Sequence, residues 1–148
     1  MTRTTVRDAI RTRIILSTLC AVALALAGGA WAQGSDALNE QLATARQHAE
    51  FSMGADDVAG ATLHLGHVLN CIAGEGGEGF DGDWGHPCGG QGDGILADVA
   101  SHPDADAVAA VLSAAHALAM DGVAAESLGA AQAAAAGVHA LLGVIIDF

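Results

Sequence analysis

Apolar residues recur at helical spacing along most of the chain, and four amphipathic helices follow from the pattern. In the first, Leu38, Leu42, Ala45 and Ala49 form the inward stripe. Ser35 is placed to cap it, Asp36 lies in its first turn, and it ends near Met53-Gly54. After a three-residue link, Asp56 or Asp57 caps a second helix with Val58, Ala61, Leu65, Leu69 and Ile72 on one side. Its other side carries Gly60, His64, His67 and Cys71 at i, i+4, i+7 and i+11, one continuous stripe where a surface helix would carry Lys, Glu or Gln.

The third helix is expected after Ser101-x-x-Asp104, which reads as a capping box with Pro103 in the first turn. It runs to about Met120 with Val108, Leu112, Ala115 and Ala119 inward. Asp121-Gly122 reads as a tight turn, and a fourth helix spans about Ala124 to Ile146, with Leu128, Ala131, Ala135, Val138, Leu142 and Ile145 as its stripe. No stretch shows the alternation of a strand. Two short links and one long one make the expected fold all-α, an antiparallel up-down-up-down four-helix bundle with a long Gly-rich loop between helices 2 and 3.

That loop, Gly74 to Gly94, has 21 residues, ten of them Gly and five acidic. Phe80, Trp84, Pro87 and a cystine would fold it as an Ω-like loop. Its Asp81-Gly82-Asp83-Trp84-Gly85 faintly suggests a calcium loop, but the alternating oxygen ligands stop after two and no bidentate Glu follows at the required distance. Ile95 to Ala100 reads as a short helical turn.

Residues 1–32 have the three parts of a cleaved secretory signal. Arg3, Arg7, Arg11 and Arg13 precede the apolar run Ile14 to Ala27, and Ala30-Trp31-Ala32 is a small-x-small site before Gln33. The alternatives are an uncleaved anchor, since Ile14 to Ala32 approaches a membrane span, and lipidation of Cys20, for which Thr18-Leu19 is a poor preceding pair. Cleavage leaves one domain, residues 33–148, periplasmic or secreted. The removed segment holds four Arg and one Asp, so the formal net charge goes from −12 to −15. Arg46 is then the only basic residue besides the histidines, which excludes nucleic-acid binding and argues against docking on an anionic membrane. The protein partner, if there is one, is not legible.

Two cysteines remain, Cys71 and Cys88, and an even pair in an exported domain reads as a disulfide, with thiolate ligation as the alternative. The chemistry then rests on imidazoles. With about 1.5 Å of rise per residue below the 1–2 and 3–4 turns, His48, His64 and His116 fall at about 8–13 Å, and His67 and His139 at about 18–25 Å, the end from which His86 in the loop also starts. The first group is expected to form the main metal site. Imidazole with thioether from Met53 or Met120 suits copper, and imidazole with carboxylate such as Glu50 suits zinc. A haem-b carrier with two axial histidines is the alternative, and no C-x-x-C-H exists for covalent haem. A third reading is a structural or partner-binding bundle whose histidines are incidental or sense pH. No serine or cysteine nucleophile has a local signature, so a binding role for a transition-metal ion is expected rather than an enzyme.

Overall fold

The structure, a computed structural model, describes residues 36–146. The expected export segment, the expected cleavage before Gln33 and the expected Ser35 cap all fall outside these residues. The described part is all-α: α1 (36–53), α2 (Val58–Ala73), α3 (Ile95–Asp98), α4 (Ala105–Val123) and α5 (Leu128–Ile146), with no strand among the described residues. The short α3 and the 3-10 turn Val99–Ser101 that continues it occupy the place of the expected helical turn at Ile95 to Ala100. The helices pack through the stripes that periodicity marked. Leu38, Leu42, Ala45 and Ala49 of α1 are buried, as are Val108, Leu112, Ala115 and Ala119 of α4 and Ala131, Ala135, Val138, Leu142 and Ile145 of α5.

One regularity was not read from the sequence: the α1–α2 pair and the α4–α5 pair repeat each other at an offset of 70 residues. The turn 54–57 has its counterpart in 124–127, and four hydrogen bonds recur. Gly54 N–H donates to Glu50 O and Ala124 N–H to Met120 O, Ala55 N–H to Ser52 O and Ala125 N–H to Gly122 O. Ala61 N–H donates to Asp57 O and Ala131 N–H to Ser127 O, while the Asp57 and Ser127 side chains cap Gly60 and Ala130 in the same manner. Buried positions match in the same register: Leu42 with Leu112, Ala49 with Ala119, Ala61 with Ala131 and Val68 with Val138. Apolar spacing is shared by the two pairs, whereas identities are mostly not, which is why the repeat escapes a reading by residue type.

Two local expectations are corrected. The Asp121-Gly122 turn does not form; both residues lie inside α4, and the chain turns at 124–127 instead. Gly122 is buried, and a Cβ there would stand 2.6 Å from Leu65 Cδ1 and 2.7 Å from Ala134 Cβ. The glycine allows close helix approach, so tertiary packing overrides the turn preference. The Ser101–Asp104 capping box is also absent: Ser101 Oγ donates to Asp98 O, Asp104 makes no side-chain cap, and Pro103 precedes α4. His102 Nδ1 accepts from Asp104 N–H at this helix start. By length and composition α4 and α5 could each cross a membrane. Their apolar character is largely alanine, and each lays its buried stripe in the shared core.

The Gly-rich loop is folded onto α1 and α2. Its neck closes where Gly74 and Gly94 cross, both at positive φ; a Cβ on Gly74 would lie 2.1 Å from Asp93 O, so only glycine fits. The Cys71–Cys88 disulfide ties the loop to α2, and both cysteines are buried. Gln41, fully buried in α1, accepts from Gly94 N–H and donates to Asp98, while Gln91 donates to Thr44 Oγ1. On α2, the Trp84 ring lies over Gly66, where a Cβ would approach it within 2.4 Å. Asn70 holds the backbone of Asp81 and Gly85. This explains why α2 is buried on both sides from Leu65 onward rather than on one stripe. The Asp81–Gly85 stretch is a capped 3-10 turn in which Asp81 Oδ1 accepts from Asp83 N–H.

Candidate metal centre

The stripe on α2 and one residue of α1 meet beside the loop. His48 Nδ1 lies 3.3 Å from His64 Nδ1 and 3.1 Å from His67 Nδ1. One ring nitrogen from each of the three falls within 4.8 Å of the others, and all three residues are half-buried. A tetrahedral ion with metal–nitrogen bonds of about 2.0–2.1 Å holds its ligand nitrogens about 3.3 Å apart, so two of the spacings already match such a site. The three rings pack edge to face or tilted at centroid distances of 4.6–5.5 Å. Phe51, 46 % exposed, closes one flank with its ring 5.5 Å from His48 and 5.3 Å from His64. A shallow depression beside His64 is lined by Phe51 and by the carboxylates Glu50, Asp56 and Asp57.

The electrostatics follow from the geometry. A neutral imidazole carries one proton on two nitrogens, so His48 Nδ1 either donates to its neighbours or accepts from them, and protonating all three rings would set N–H groups against one another. Burial is the largest cause that lowers the His48 pKa from 6.5 to about 4, followed by repulsion from His67 and from His64. His64 is also lowered, by burial first and then by His67. Neutral imidazoles with free lone pairs are what a metal ion requires.

A pH dependence of the metal-free fold follows. His48 is neutral in both folded and unfolded chains above pH 6.5, so it contributes no slope there. Between pH 6.5 and about 4 the unfolded chain binds the proton that the folded chain refuses, so stability falls as pH falls through this window. Melting temperatures of the metal-free protein across pH 4–7 should show this decline, and His48→Leu should flatten it. Leu is the residue at the equivalent position of the second pair, Leu118.

The structure places the other candidates elsewhere. His116 Nε2–H donates to Glu78 O and thereby docks the loop on α4. His139 Nε2 sits 3.0 Å from Glu50 Oε1 and 3.2 Å from Arg46 Nη2. His86 stacks edge-on against Phe80, with its Nδ1 3.9 Å from Glu75. The grouping by height therefore needs correction: His67, assigned to the far group, joins His48 and His64, whereas His116 does not. Side chains lean toward the N-terminus of their own helix. α1 runs into the turn and α2 out of it, so His48 leans away from the turn and His67 leans toward it. Their rings converge although their backbones differ in height by about two turns. Phe51, Asn70 and Gly85 were not singled out as parts of a site. An amide three residues beyond His67 inside an otherwise apolar helix was the available signal for Asn70.

No family model matches the chain, and searches of curated proteins and of solved structures find no match to it.

Proposed function

We propose that this chain is a small exported protein in which His48, His64 and His67 hold one transition-metal ion, copper or zinc, for storage, delivery or sensing. The observation that carries this reading is the convergence of three ring nitrogens, two pairs of them 3.1 and 3.3 Å apart. The internal repeat supports it independently. The second helix pair has the same turn and the same buried register, yet at the equivalent positions it carries Leu118, Ala134 and Gly137. There, Leu118 Cδ2 fills the space above Gly137, 2.4 Å from where a Cβ would stand. An apolar solution to the same packing problem thus exists in the chain, and the backbone does not demand histidine.

The finer architecture in this proposal is an antiparallel up-down-up-down arrangement of α1, α2, α4 and α5, with α3 as an accessory turn. The opposed order of contacts supports it: Met53 O with Gln132 and Glu50 with His139 between α1 and α5, and Gly122 with Ala134 and Leu118 with Gly137 between α4 and α5. Export to a periplasmic or extracellular compartment is supported by the disulfide, which belongs to oxidising surroundings. That bridge also occupies both thiols of the mature chain and favours binding over catalysis. An ion is favoured over haem because the three imidazoles abut one another and leave no slot for a porphyrin between them.

Elemental analysis of the exported protein purified without chelator is the test. One equivalent of copper or zinc per chain, with no Soret absorption, is the expected result. A Soret band, or a metal-free protein that takes up neither ion on titration, overturns the reading.

A further inference from the structure

We infer that Asn70 is a positioning residue for the metal centre, seating Gly85 of the disulfide-tied loop against the outer edge of the His67 ring; the inference rests on the three-histidine reading. Asn70 is fully buried in α2, three residues after His67, and commits its whole amide to the loop. Its Nδ2 donates to Asp81 O and Gly85 O, and its Oδ1 accepts from Asp81 N–H at 2.9 Å. No hydrogen-bonding capacity of the amide hydrogens is left for the helix core.

The held segment reaches the site. Gly85 has φ +85°, and a Cβ built on it would lie 3.6 Å from His67 Nε2. Its neighbour Trp84 covers Gly66, the residue before His67. His67 thus has Nδ1 turned to His48 and Nε2 turned to the loop wall. A ligand ring free to rotate about its χ angles would lose this presentation, and a wall on the Nε2 side fixes it. Outer contacts that orient a ligating imidazole typically change metal affinity by about 10–100-fold when removed. Gln41 tethers the same loop at its neck, through Gly94 and Asp98, and so serves as a control for loop loosening away from the ring.

The experiment compares the parent with Asn70→Ala and Gln41→Ala. The readouts are Zn²⁺ affinity by chelator competition, the visible absorption of the Co²⁺ form, and the melting temperature of the metal-free chain. Asn70→Ala should weaken Zn²⁺ binding by about 10–100-fold and alter the Co²⁺ bands. Gln41→Ala should lower the melting temperature yet keep affinity within about threefold, far below the range expected of an orienting contact. Parent-like affinity in a folded Asn70→Ala variant, or equal weakening in both variants, overturns the inference. If Asn70→Ala does not fold, Gly85→Ala decides. It keeps the amide clamp but strains the wall and sets a methyl on His67 Nε2, so unchanged affinity and spectrum there overturn the inference as well. A parent chain that binds neither Zn²⁺ nor Co²⁺ instead overturns the three-histidine reading itself.

Discussion

Replacing His48 by alanine is expected to remove tight binding of zinc or copper. His48 is the only member of the triad on α1, and its Nδ1 is the atom within 3.3 Å of both partners. Without it, two imidazoles one helical turn apart remain, a pair that any surface helix could present. The loss should exceed the roughly 10–100-fold that removal of an orienting contact costs, because a ligand itself is gone. His64→Ala and His67→Ala should each approach the same loss. His86→Ala, His116→Ala and His139→Ala should leave affinity near that of the parent, since their rings are engaged at the loop or at Glu50 and Arg46. Titration calorimetry with Zn²⁺ on this set, using alanine because it keeps helix propensity, separates the two groups. A His48→Ala variant that binds like the parent would show that the convergence has no bearing on metal.

Breaking the Cys71–Cys88 disulfide should cause the largest loss of stability available at one covalent position. The bridge closes a segment of 17 residues in sequence, for which a chain-entropy treatment gives about 3 kcal/mol. For a domain of this size that corresponds to a fall of roughly 10–20 °C in melting temperature. The loss is concentrated physically, because the Gly-rich segment has little apolar surface of its own. Apart from the bridge, it is held by Trp84 on Gly66, by Asn70, by His116 of α4, and by Gln41 and Gln91 at the α1 side. Calorimetric melting of the oxidised and reduced protein measures the difference directly. Near-identical melting temperatures would mean that these non-covalent contacts alone fold the loop.

Periodicity by itself determined the all-α class and nearly every buried stripe, because one face of each long helix must leave water. The core positions Leu42, Leu112, Ala135 and Leu142 follow from spacing alone. The cystine followed from counting thiols in a chain read as exported. The sequence also marked His64 and His67 as unusual for a helix surface, and put His48 with His64 among the candidates for the main metal site. It did not determine which imidazoles meet. That depended on opposite leans of side chains on two helices joined by one turn, a vector property that backbone height does not carry. Nor did it determine that Gly122 serves packing rather than turning, since the steric partners Leu65 and Ala134 come from other helices. The use of Gly85 and Asn70 as a wall behind His67 was likewise decided in three dimensions. Those contacts exist only once 21 loop residues, whose glycines leave the backbone nearly unrestricted in isolation, have been closed over α2 by the neck at Gly74 and Gly94.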